Sequence, residues 1–202
     1  MSLERDIEFL YELGSLRNVQ RGWRQHLGVD CANDLEHTMR VAWMALLLAR
    51  REKSLNPQVD IDEALILKMA LAHDICETRT SDHSYIQKVY VKSDEERAVH
   101  DTLSGTALED FEETVKKFES RDSLEAKLVK DADNLDVDIE LHELEERGHK
   151  LPQRWMVFRH KIRDEKLYTQ AGKDFWEALQ TSDPAAWHMG ANKWVKIPEA
   201  GK

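Results

Sequence analysis

The chain has 202 residues, enough for one domain or at most two small ones. Eight glycines and four prolines lie well below ordinary usage, which argues against a turn-rich sandwich or barrel and for long helices. A net charge of −10, from 29 basic and 39 acidic residues, argues against a generic partner for nucleic-acid polymers or anionic membranes. Two cysteines, Cys31 and Cys76, are too few for a disulfide framework and suit a reducing, cytoplasmic setting.

In chain order, residues 3–14 read as a short amphipathic helix with Leu3, Ile7, Leu10 and Tyr11 on its apolar face and Gly14 as its stop. The N-terminus lacks the apolar core of a signal peptide, and no apolar run is long enough to span a bilayer. Residues 15–33 read as a loop. Asn33 or Asp34 caps the next helix, which runs to about Lys53 with Leu35, Met39, Ala42, Leu46 and Ala49 at helical spacing. Asn56-Pro57 breaks the chain. A helix over 60–78 follows, capped by Asp60. Residues 78–94 are polar and aperiodic. Helices over 95–119 and 122–148 come next, then shorter ones near 152–166 and 171–181. The expected architecture is all-α, a single-domain bundle of about six or seven helices over 1–183. An irregular tail over 184–202 docks in part through Trp187 and Trp194.

Four positions stand apart from this background: His37, the adjacent pair His73-Asp74, and Asp133. Each group belongs to a different predicted helix, and each sits on or beside an apolar stripe. Burying such groups is costly unless they are paired or bound to a cation. Helix bundles build metal sites by this convergence, and imidazoles with carboxylates suit a divalent transition metal. Singly, each residue reads as an ordinary core histidine, cap or ion-pair partner. The case rests on the set.

The order His, His-Asp, Asp on successive helices resembles the HD superfamily of metal-dependent phosphohydrolases. Arg21-Gly22-Trp23, Glu36-His37, His73-Asp74-x-x-Glu77 and Lys130-x-x-Asp133, in that order, narrow the likeness to the branch of the 5′-deoxynucleotidases and oxetanocin-related HD proteins. The likeness covers roughly residues 5–145. It implies one divalent metal ion (Mn, Co, Mg, Zn or Fe) ligated by His37, His73, Asp74 and Asp133. It further implies a catalytic role for Glu77 and Asp74, and phosphate binding by Arg21. Asp82 matches a sugar-discriminating aspartate, although the family usually has Gly-Asp where this chain has Ser81-Asp82. Trp23 adjoins Arg21 and is placed to wall the pocket. Tyr85, Lys88 and Tyr90 either contact a base or phosphate or pack their loop against the bundle.

The activity implied is a metal-dependent 5′-nucleotidase acting on (deoxy)nucleoside 5′-monophosphates. The alternatives are an HD hydrolase of another phosphate ester, such as a nucleoside polyphosphate or alarmone, or a low-turnover nucleotide-binding protein. The implied partners are a small phosphorylated substrate and, in a homodimer, a second copy of the chain.

Overall fold

The computed structural model describes residues 2–191, and among them the chain is helical with no β-strand. Eight helices have nine residues or more: α1 (Leu3–Gly14), α3 (Asp34–Leu55), α4 (Glu63–Ala72), α7 (Glu95–Leu103), α8 (Phe111–Ser120), α9 (Leu124–Glu146), α10 (Leu151–Lys166) and α11 (Gln170–Leu179). Four short ones join them: α2 (Arg24–Leu27), α5 (Glu77–Thr80), α6 (Gln87–Tyr90) and α12 (Ala186–Ala191). The architecture is the expected helical bundle, but it holds more helices than the six or seven predicted.

Two predicted helices are each broken, and the breaks have physical causes. The run over 95–119 splits because Gly105 adopts a φ of 74° and Ser104 leaves the helical region. The run over 60–78 stops at Ala72, and the chain turns through 73–76 before α5. Its cap is Asp62, not Asp60: the Asp62 carboxylate accepts from the Ala64 and Leu65 amides at 2.9 and 3.0 Å. At α3, Asn33 is the cap and forms a reciprocal box with Glu36.

The main core lies between α3, α4, α8, α9 and α11, where Val41, Leu48, Ile66, Met69, Leu128 and Trp176 are buried. The buried face of α3 matches the expected one in part: Ala42 and Ala49 are buried and Leu46 packs against the core, but Leu35 and Met39 are exposed, and Val41, Ala45 and Leu48 also face inward. On α1 the expected apolar face is likewise exposed, and Phe9 is buried instead against Leu103 and Val115. A third cluster joins Trp23 and Leu27 to Leu141 and Leu144 of α9. In the expected irregular tail, α12 is helical, and its Trp187 is 78% exposed rather than docked. Trp194 lies outside the described residues. No described helix is long and apolar enough to cross a membrane.

Candidate metal centre

His37, His73, Asp74 and Asp133 meet where α3, the end of α4 and α9 converge. His37 lies one turn past the α3 cap and is fully buried. His73 and Asp74 follow the last residue of α4, and Asp133 projects from the middle of α9. His37 Nε2 lies 3.3 Å from His73 Nε2, 3.4 Å from Asp74 Oδ2 and 3.2 Å from Asp133 Oδ1. His73 Nε2 is 3.1 Å from Asp74 Oδ2.

The outward ring nitrogens decide what the inner ones can do. His73 Nδ1 is 2.8 Å from the Ala70 carbonyl, which only accepts, so Nδ1 carries a proton. His37 Nδ1 lies 2.6 Å from Asp136 Oδ2 and donates to it for the same reason. In neutral rings, both Nε2 lone pairs then face one another and two carboxylates. That donor set repels itself without a cation between its members, and it fits a divalent metal. His37, His73 and Asp74 offer ligand atoms all within 4.8 Å of one another. Asp133 approaches from the α9 side, its other oxygen held at 2.6 Å by Lys130 Nζ.

The charges agree with this. Burial works against ionised Asp74, but His73 and His37 hold its carboxyl well below the usual range. Burial also opposes ionised Asp133, and Lys130 and His37 outweigh it. Burial and Arg21 resist a second proton on His37, yet Asp133, Asp136 and Asp74 raise its pKa well above the ordinary value. A proton and a metal ion therefore compete for the same lone pair.

A second group lies beside the first. Arg21 is buried, with Nη1 3.3 Å from Asp82 Oδ2, 3.5 Å from Asp74 Oδ2 and 3.6 Å from Asp34 Oδ1. Burial pulls its pKa down, but Asp82, Asp74 and Asp133 more than restore it, so the guanidinium stays charged. Asp34, Glu77 and Asp82 also place carboxylate oxygens within 4.8 Å of one another. Burial, together with Asp74, Asp82 and Asp34, pushes the Glu77 carboxyl up to about 12. Burial raises the Asp34 carboxyl as well, and carboxylates this close cannot all ionise.

The loop carrying Asp82 is clamped by Gly22. The Gly22 amide donates to Asp82 Oδ2 at 3.0 Å. A Cβ on Gly22 would lie 2.4 Å from the Ser84 nitrogen, so only glycine fits there. The 17–23 segment is itself pinned to the α3 cap by a Gln20–Asn33 bridge and by the Asp34 amide donating to the Val19 carbonyl.

Two cavities open beside the cluster, and Arg21 and Asp82 line both. One, of about 630 Å³, is polar, with Gln20, Arg24 and Gln25 in its wall. The other, of about 380 Å³, is apolar, with Trp23 and Tyr85 in its wall. Lys88 is exposed on α6 and lines neither cavity, and Tyr90 is also exposed. Asp34 and Asp136 belong to the site but escape the motif. Asp34 reads as a helix cap from sequence. Asp136 had one available signal, since it falls one helical turn after Asp133 on the same side of α9.

An HD domain family model matches residues 13–181, most of the chain. The chain belongs to the HD domain family. Among HD proteins it is 31% identical over 153 residues to a Dictyostelium discoideum protein named 5′-deoxynucleotidase HDDC2, covering 72% of this chain and 80% of that one. A Danio rerio protein of the same name is 26% identical over 151 residues, covering 71% and 72%. A solved structure of a conserved hypothetical protein from Pyrococcus furiosus superposes with a TM-score of 0.69 at 27% identity, covering 86% of this chain and 98% of that one. His37, His73-Asp74 and Asp133, the residues on which the sequence resembles the HD family, are brought together by α3, the end of α4 and α9.

Proposed function

We propose that this HD protein is a metal-dependent phosphohydrolase that cleaves (deoxy)nucleoside 5′-monophosphates to nucleoside and inorganic phosphate. The observation that carries the reading is the placement of Arg21 and Glu77 beside the His/Asp donor set: Arg21 Nη1 lies 3.5 Å from Asp74 Oδ2, and Glu77 groups with Asp34 and Asp82. The 5′-deoxynucleotidase names of its relatives point the same way.

His37, His73, Asp74 and Asp133 would hold a divalent ion, which when bound would lower the pKa of a water and polarise a phosphoryl oxygen. The protein's own residues do the rest. Arg21 exchanges its carboxylate partners for two phosphoryl oxygens, a planar fork that lysine cannot reproduce. Asp74 lies between Arg21 and the two imidazoles, so the phosphate that Arg21 takes up is placed next to the His/Asp donor set. Glu77 holds the proton that the departing 5′-oxygen needs. Asp82, anchored by the Gly22 amide, borders the space for the sugar. No covalent intermediate is required, and the catalysis is positioning plus electrostatics.

The test is phosphate release from deoxynucleoside monophosphates with Mn²⁺, Co²⁺ or Mg²⁺. His73→Ala and Asp74→Ala should lose bound metal and activity together. Arg21→Ala should raise KM while metal content stays. Full activity in either ligand variant, or release of pyrophosphate in place of phosphate, would reject the reading.

We further infer a homodimer in a reducing cytoplasmic setting. Met39, Trp43 and Leu47 recur turn by turn on α3 at 56%, 66% and 58% exposure, an apolar stripe that association would cover. Both cysteines are free. Light scattering of the purified chain checks the dimer.

A further inference from the structure

We propose that α10 supplies the specificity wall of this site: Trp155 and Phe158 form, with Tyr85 and Trp23, an aromatic slot that takes the base of the nucleotide. The inference deepens the nucleotidase reading and rests on it. α10 lies within the stretch that the HD domain model matches, but it carries none of the His, His-Asp and Asp residues that make up the candidate metal site.

The slot is the apolar cavity of about 380 Å³. Arg21 and Asp82 close one end of it, and the same two residues face Asp74 or the Asp34–Glu77 group. A phosphate held by Arg21 therefore leaves the rest of its ligand beside this cavity. The walls are rings. Trp23 and Trp155 lie 6.1 Å apart between centroids and tilted by 38°. Tyr85 stands edge-on to Trp155 at 6.4 Å, and His26 backs Tyr85 at 5.1 Å. At the mouth, Tyr85 is 60% exposed and Phe158 62% exposed, leaving two ring faces without a cover.

The chemistry of the lining selects the occupant. Val137 and Ile162 add aliphatic surface. Arg159 also reaches the cavity, but its guanidinium is tied to Asp138 at 2.6 and 2.7 Å and to the Asn134 carbonyl at 2.8 Å. It is not available for a second phosphate. Beyond Arg21 and the Asp82-His83-Ser84 edge, the cavity offers mostly ring faces and apolar walls, which suit a flat, uncharged aromatic group with polar edges. A nucleobase has that chemistry, and it stacks on aromatic side chains without demanding one sequence of donors and acceptors. A broad base tolerance follows, with discrimination against sugar phosphates that carry no base.

The test uses the metal-loaded full chain with Trp155→Leu and Phe158→Ala. Leucine keeps the half-buried position apolar, and Phe158 is exposed enough for its loss to leave the bundle intact. The readout is the ratio of kcat/KM for deoxyadenosine 5′-monophosphate to that for deoxyribose 5-phosphate. Trp155→Leu should lower the ratio about tenfold, the loss of one base stack, and Phe158→Ala should lower it several-fold. An unchanged ratio in both folded variants overturns the proposal. Calorimetric binding of deoxyadenosine, which has no phosphate, tests the slot without turnover. If the wild type hydrolyses no monophosphate, the nucleotidase reading falls. Nucleoside binding that Trp155→Leu weakens would still uphold the slot, and absent binding to the wild type would overturn it.

Discussion

Ser81 holds a φ of 62° with a ψ of 156°, a backbone region that a Cβ opposes. It immediately precedes Asp82, in the loop that the Gly22 amide clamps. Ser81→Gly should therefore raise the unfolding free energy by about 1 kcal/mol, from a strain of roughly 1–3 kcal/mol less the added chain entropy. Urea denaturation checks this, and a lower midpoint would contradict it. Asp136 acts at the same scale. It accepts from His37 Nδ1 at 2.6 Å and is itself held by Arg40, so it aims the His37 lone pair inward. Asp136→Asn should weaken Mn²⁺ binding about 10–100-fold while the helical circular dichroism spectrum stays unchanged. Equal affinity in variant and wild type would remove Asp136 from that role. The convergence of His37, His73, Asp74 and Asp133 was legible from sequence because the motif is a fixed order of uncommon residues. Asp136 and Asp34 were not, because a carboxylate on a helix looks the same whether it faces water or a histidine.

Among the elements, α1 shows most clearly what periodicity leaves open. Its limits were read correctly, but Leu3, Ile7, Leu10 and Tyr11 are exposed, and the helix docks through Phe9 and Glu12. Glu12 accepts from Arg79 Nε at 2.6 Å and from Thr78 and Thr102 hydroxyls at 3.3 and 3.2 Å, tying α1 to α5 and α7. Burial opposes its charge, but Arg79 and the two threonines hold its pKa below the ordinary 4.5. A depressed folded pKa means that the stabilisation is present above about pH 4.5 and is lost as pH falls through the folded value. Glu12→Gln should thus cost under about 1 kcal/mol at pH 7, since the pair is partly solvated, and the difference should shrink below pH 4. Paired thermal melts across that range test the sign. A cost that persists at pH 3 would assign Glu12 a packing role instead. Helix breaks were the least legible feature at this scale. Nothing in the apolar spacing of 95–119 separates one long helix from two, and the break comes from the backbone of Ser104-Gly105.

For the whole molecule, three of the helices that bury the main core also carry the candidate ligand set, so a metal bound there would be coupled to folding. His37 is fully buried in the bundle, with its Nε2 facing another imidazole and two carboxylates. A divalent ion should relieve that repulsion and raise the melting temperature. At a hundredfold excess over Kd the gain is about 2.7 kcal/mol, and EDTA should reverse it. A melting temperature indifferent to Mn²⁺, Co²⁺ and Zn²⁺ would reject the metal centre. Composition and periodicity alone determined that the chain is an all-α bundle, because scarce glycine and proline leave few other ways to fold it. The motif order determined which four residues are candidate ligands. Tertiary structure decided which helix faces are buried, that Glu77 sits among the carboxylates of Asp34 and Asp82, and that α10 lines an aromatic cavity beside Arg21. Those depend on which charges and rings are brought within a few ångströms across the chain, and local spacing carries no record of that distance.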